Sequence, residues 1–238
     1  MSIRVLIAAP LRQDVKIFRE YQRGLDELRV PDGVTVDRFF VVNDCPDVIP
    51  EIVGEYITRD TGDRYEKTHN DHLWTHDNLS KMHELRNLTC RRALDGGYDY
   101  LFSVDTDLVL HPDTLSVLLE SGKDIVSELF WTNGWCNAWM YDQAQGMNRD
   151  WVNPGLYQVG MTGACILISR RVLAAGVDYS AIPNIRKALW GEDRHFCIRA
   201  ACAGFELWTD THCPPDHLYT ETEYHNYMAR RAEYAGTN

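Results

Sequence analysis

The stretch "YLFSVDTDLVLHP", residues 100–112, decides how the rest of the chain is read. Tyr100 to Val104 is apolar, aromatic and β-branched, the composition of an interior strand. Yet the run ends on Asp105 and Asp107, and carboxylates are rarely buried without partners. Alternate residues of a strand point to one side, so both carboxylates can leave the sheet in a common direction. That pair suits a hard divalent cation such as magnesium, calcium or manganese, and it equally suits a cap for the helix that Pro112 opens.

Working outward from this strand, helix and strand alternate. Ile3 to Ala9 reads as a strand, Phe18, Tyr21, Leu25 and Leu28 recur at helical spacing, and Val34 to about Asn43 is a second strand. Residues 46–76 are polar and read as loop with a short edge strand near Ile57. Leu79, Met82, Leu85 and Leu88 predict a helix stopping at Gly96-Gly97, and a further helix carrying Leu115, Leu118 and Leu119 ends at Gly122 before the strand "DIVSELF". Such alternation implies an α/β protein with a mostly parallel central sheet flanked by helices, whose ligands bind outside the carboxyl ends of the strands.

Beyond residue 130 the texture changes. Residues 131–155 hold Trp131, Trp135, Trp139, Tyr141 and Trp151 without a period, so a long aromatic loop is expected. The tryptophans at 131, 135 and 139 either stack on a sugar or pack under the sheet edge. "LYQVGMTGACILISRRVL" reads as two short strands leading into a helix, its glycines letting backbone approach a sugar. A helix from about Glu192 to Ala203, a strand at Phe205 to Trp208 and a charged helix from about Thr220 complete a single domain, 1–238.

A net charge of −11 argues against a nucleic-acid or anionic-lipid binder working through bulk positive charge, and an anionic ligand would need a metal or a few arginines. No run is long enough for a transmembrane segment and the start lacks a signal sequence, so a cytoplasmic protein is expected. The seven cysteines contain no CxxC pair and read as reduced core residues. His69, His72 and His76 lie in a polar segment with nothing to orient them as a zinc site.

Acids at the predicted start of the 192–203 helix, Glu192 and Asp193, are favoured by its dipole and also suit a base that deprotonates an attacking hydroxyl. His212 and His217 follow the last strand, where exposed loop histidines are common.

Taken in order, "AAP" at the end of the first strand, Asn43-Asp44 at the end of the second, "ELRN", "VDTD", "GEDRHFCIRAACAGF" and "DTHCPPDHLY" resemble a glycosyltransferase of the GT-A fold, in the family-2-like group with a DxD motif. The resemblance covers residues 3–219. It implies the Rossmann-like nucleotide-diphospho-sugar transferase fold, with residues 1–110 as the nucleotide-binding half and 111–238 as the acceptor-side half, and a metal-dependent transfer of a sugar from a nucleotide diphosphate donor to an acceptor hydroxyl.

Position by position, the resemblance implies that Asp107 and His217, with Asp105, hold Mn2+ or Mg2+, and that Asp105 also contacts the ribose. Asp44 would bind the base, Ala9 and Pro10 would wall its pocket, and Arg86 and Asn87 would touch the nucleotide. Asp193 would be the base of an inverting transfer, helped or replaced by Glu192. The partners implied are a nucleotide-sugar donor and an unknown acceptor, whether glycan, lipid-linked sugar, peptide or small molecule. Two alternatives stand beside this reading. One is a sugar nucleotidyltransferase, disfavoured because "APLRQDVKIF" has no glycine for a triphosphate loop. The other is a silent carbohydrate-binding protein with a structural metal.

Overall fold

A computed structural model describes residues 2–62, 67–68, 71–72, 76–140, 153–186 and 189–235, of which 67–68, 71–72, 76–79 and 234–235 are described by backbone alone. Its centre is a nine-stranded sheet. In chain order the strands are β1 (Ile3–Leu11), β2 (Val34–Val42), β3 (Glu55–Thr58), β4 (Tyr100–Ser103), β5 (Ile125–Glu128), β6 (Trp139–Met140), β7 (Leu156–Met161), β8 (Ile166–Ser169) and β9 (Leu207–Asp210). The helices are α1 (Val15–Asp26), α2 (His76–Asp95), α3 (Thr114–Glu120), α4 (Arg170–Ala174), α5 (Glu192–Cys202) and α6 (Glu221–Ala235).

Across the sheet the order is β6-β7-β9-β5-β8-β4-β1-β2-β3. β3, β2, β1 and β4 are parallel neighbours, as are β5 and β9, while β8 runs antiparallel between β4 and β5 and β7 runs antiparallel to β9 and β6. Seven of the nine strands therefore share one direction.

Both faces of the sheet are covered, which is why the inner strands read as continuous apolar runs. Along β1, Leu6 and Ala8 join one core layer with Leu85, Val172 and Phe196 from α2, α4 and α5. Val5, Ile7 and Ala9 join the opposite layer with Phe18, Tyr21, Leu115 and Leu118 from α1 and α3. None of the seven cysteines forms a disulfide and five are buried, as reduced core residues would be.

The aromatic stretch departs from the loop expected for it. Trp131–Thr132 and Trp135–Cys136 form a two-stranded hairpin, and Trp139–Met140 is the edge strand β6. Each strand is only two residues long, too short to express a period in the sequence. Tyr141 and Trp151 lie outside the described residues, and the histidine trio at 69, 72 and 76 lies outside those whose side chains are described.

Nor does the Asp105–Asp107 pair cap the next helix. α3 starts after Asp113, which makes no side-chain capping bond. A second short pairing instead joins Leu108–Val109 to Asp216–His217, with His217 opposite Leu108.

Candidate functional site

The turns that follow β1, β2 and β4 open into one cleft of about 560 Å³, whose other walls are the 130–139 segment, the 161–164 turn and the start of α5. Pro10, Arg86, Asp105, Asp107, Glu192, Asp193 and His217 all line it. The chain thus brings most of the sequence-derived candidates into one place.

Arg86 is the centre of the acidic side. It sits mid-way along α2, is 2% exposed, and reaches under the cleft floor. Its Nη2 donates to both oxygens of Asp105 at 2.9 and 3.2 Å, and its Nε donates to Glu192 Oε1 at 3.4 Å and lies 3.9 Å from Asp193 Oδ1. Nη1 donates to Ser103 Oγ at 3.3 Å, and the guanidinium stands over the Tyr179 ring. One fully enclosed cation therefore fixes carboxylates from β4's end and from the first turn of α5, the planar fork that Lys lacks.

Electrostatics on this side follow from crowding. Burial raises the Asp105 carboxyl above its ordinary value, Arg86 opposes the rise, and Asp107 and Glu192 add to it. Asp193 is pushed up to about 7, first by burial and then by Glu192 and Asp105, against the pull of Arg86 and Arg194. Among the described residues Asp193 Oδ1 has no hydrogen-bond partner. A carboxyl placed so is suited to taking a proton near neutrality.

Asp107 faces the other way. Its Oδ2 lies 3.4 Å from Nε2 of His217, whose side chain is 10% exposed, and its carbonyl accepts from the N–H of Leu218. The Nδ1 of His217 lies 3.1 Å from both the Trp131 carbonyl and Thr132 Oγ1. In the neutral ring the carbonyl takes the Nδ1 proton, so Nε2 presents its lone pair beside Asp107, the arrangement used to orient metal-ligating histidines. Burial works against charge on this ring, but Asp107 outweighs it and raises the affinity for a proton. Among the described residues no three His, Cys, Asp or Glu side chains form a metal-binding group. Asp107 and His217 fit an ion that keeps only one or two protein ligands and takes the rest from phosphate and water, as magnesium does.

Three candidates fall outside this constellation. Ala9 is fully buried in the core layer facing α1, leaving Pro10 as the wall. Asp44 accepts from the N–H groups of Thr61 and Gly62 and pairs with Arg12 at 3.7 Å. Burial opposes its ionisation, but those donors win and hold its carboxyl below the ordinary value, while Asn43 rather than Asp44 reaches the cleft. Asn87 ties α2 to the 179–180 segment, accepting from the Tyr179 N–H at 2.8 Å and donating to Ser180 Oγ at 3.0 Å.

Other lining residues carry no sequence signal of their own. Arg12, Lys81 and Arg194 bring positive charge to a chain of net charge −11. Asn137 accepts from the Phe130 N–H and donates to the carbonyls of Glu128 and Gly163, each at 3.0 Å. Gly163 lines the cleft and makes room for the base: a methyl group there would stand 2.3 Å from Asp193 Oδ2.

No family model matches the sequence, and no curated protein matches it. Solved structures do match the fold. The Staphylococcus aureus protein TarS, residues 1–349, has a TM-score of 0.53 and 13% identity over 88% of this chain and 58% of its own. It has also been solved in complex with UDP-GlcNAc. The mannosyltransferase PcManGT from Pyrobaculum calidifontis, in complex with GDP-Man and Mn2+, has a TM-score of 0.56 and 14% identity over 98% of this chain and 61% of its own. A CMP:2-keto-3-deoxy-manno-octonic acid synthetase complexed with CTP has a TM-score of 0.53 and 13% identity over 97% of this chain and 99% of its own. The chain spans only about three fifths of the two former proteins. At these identities the likeness establishes the fold, a mixed α/β GT-A-type architecture.

Proposed function

We propose that the protein is a glycosyltransferase that moves a sugar from a nucleoside-diphosphate donor to an acceptor hydroxyl with inversion, Asp193 acting as the base. The observation that carries this is the division of the cleft. Arg86 gathers Asp105, Glu192 and Asp193 on one side, and Asp107 meets His217 on the other. The likeness to two nucleotide-sugar-bound proteins supports the same class.

In this reading Asp107 and His217 hold Mn2+ or Mg2+ together with the donor's diphosphate, and such an ion supplies neutralisation of the leaving group's charge. Asp105, its back held by Arg86, turns its remaining lone pairs to the ribose. Asp193, which lines the cleft with its side chain 32% exposed, accepts the proton of the acceptor hydroxyl on its carboxylate as that hydroxyl attacks the anomeric carbon. Glu192, 7% exposed and on Arg86, holds the charge balance around the base. Arg12 and Lys81 line the cleft and favour an anionic donor.

The synthetase likeness favours a second reading, a sugar nucleotidyltransferase. Against it stands the turn after β1, Arg12-Gln13-Asp14, with no glycine to let backbone wrap a triphosphate. Incubation with labelled nucleotide sugars and Mn2+, and in parallel with nucleoside triphosphate and free sugar, separates them. Nucleoside diphosphate release, abolished by chelator, supports the transferase. Pyrophosphate release supports the synthetase, and turnover of neither leaves a binding protein.

A further inference from the structure

We infer that Trp135 is the platform of an acceptor subsite for a neutral sugar ring, so that the acceptor is a carbohydrate; this rests on the transferase reading above. Trp131–Thr132 and Trp135–Cys136 are joined through Asn133 and Gly134, at φ +50° and +81°. Positive φ at both central residues is the turn that Asn-Gly favours and that matches the twist of a tight hairpin. The aromatic tip is thus held in one shape.

Trp135 pairs with Thr132, which puts these two side chains on one face of the hairpin. Thr132, Trp135 and Cys136 line the cleft, while the Trp131 ring lines a separate small hollow beside Pro215 and Arg230. Trp139 also lines the cleft, but the Arg194 guanidinium covers its ring at 4.9 Å. Trp135 is 58% exposed.

Exposure of one tryptophan says little alone, but this one is braced to both chemical poles of the cleft. Thr132 Oγ1 bonds His217 Nδ1. At the hairpin's other end Asn137 bonds the carbonyl of Gly163, the residue against which the Asp193 carboxyl packs. A ring lying on Trp135 is therefore held by the element that sets the distance between the donor side and the base.

The chemistry of that ring follows from charge. Asp105, Glu192 and Asp193 and a net charge of −11 disfavour a phosphate-rich or carboxylate-rich acceptor. A neutral sugar offers an apolar C–H face to the indole and hydroxyls to Asp193.

The test is intrinsic-fluorescence titration of the full chain with methyl glycosides and disaccharides of glucose, galactose, mannose, xylose and N-acetylglucosamine, beside sialylated and phosphorylated sugars. UDP and GDP binding with Mn2+ is measured separately by calorimetry. The expected result is a saturable change with at least one neutral series and none with its anionic counterpart. Trp135→Ala weakens that binding by about tenfold or more, Trp135→Phe restores most of it, and nucleotide affinity is unchanged in both. The inference is overturned if neutral sugars give no saturable change in protein that binds nucleotide, if Trp135→Ala leaves sugar affinity intact, or if it lowers nucleotide affinity in step. Sugar binding lost with Trp135→Ala in a protein that binds no nucleotide upholds the subsite and removes the transferase reading.

Discussion

The carboxyl of Asp193 fills the space that a β-carbon on Gly163 would need: a methyl group there would stand 2.3 Å from both Oδ2 and Cγ of Asp193. Gly163→Ala must turn Asp193 away or shift the 161–164 turn, and overpacking of this kind costs about 1–3 kcal/mol. We expect transfer to fall at least ~10-fold, since misplacing a reacting group by about 1 Å costs on that scale or more. Nucleoside-diphosphate affinity should stay within about twofold, because the donor side is held by other elements. Steady-state kinetics with calorimetry on the same preparation checks this, and an unchanged kcat would show that Asp193 does not need its present position.

Removing Arg86 should be felt first in stability. It is 2% exposed and bonded to Asp105 and Glu192, with Asp193 beside it. Arg86→Met leaves those carboxylates facing one another without a cation, and breaking a buried pair from one side costs about 3–5 kcal/mol. For a domain of this size, that corresponds to a fall in Tm on the order of 10 °C. Arg86→Lys keeps the charge but loses the fork, and should melt between the two. Thermal denaturation of the three proteins at one pH decides it, with equal Tm values as the contrary result.

How much of this was legible in the sequence depends on how local the signal is. β1, α1, α2, β4 and α5 are long or strongly patterned, and β4, the strand that leads to Asp105, lies where the pattern placed it. The meeting of Asp107 with His217 is not patterned at all, because only a two-residue pairing, Leu108–Val109 with Asp216–His217, joins them. Arg86 has the look of an ordinary helix charge until acids from two other elements close around it. The four-residue spacing of Trp131, Trp135 and Trp139 suggests one face, but a hairpin and an edge strand send Trp131 to a separate hollow and leave Trp135 and Trp139 on the cleft, Trp139 beneath Arg194. Asn137 fastens Phe130, Glu128 and Gly163 together with no feature in its neighbourhood to announce it.

The Asp193 carboxyl, pushed up to about 7 by burial and neighbouring acids, should set the pH dependence of transfer. A base works only when ionised, so kcat/KM should rise tenfold per pH unit below about 7 and level off above it. Asp193→Asn should remove that limb together with nearly all transfer while retaining donor binding. A pH–rate profile under single-turnover conditions reads this directly. A limb near pH 4 would mean that the acting base is a carboxyl at its ordinary value, and loss of donor binding in the variant would make Asp193 a donor ligand.

Glu128 carries the opposite kind of prediction, in stability alone. It is fully buried at the end of β5, its Oε1 accepts from the Cys213 N–H at 2.9 Å, and its Oε2 has no partner among the described residues. Burial first, and then the nearby Asp210 carboxylate, push its carboxyl from 4.5 up to about 8. Between those values the folded protein keeps a proton that the unfolded chain has released, so this group's effect is to lower stability as pH rises from about 4.5 to 8. Glu128→Gln keeps the shape and the bond from Cys213 but has no proton to lose. The variant should therefore gain on the wild type as pH rises, matching it within about 1 °C at pH 5 and exceeding it by several degrees at pH 8.5. Melting curves of both proteins across that range settle the point, and a wild-type-to-variant difference that does not change with pH would mean that Glu128 is ionised in the folded protein throughout.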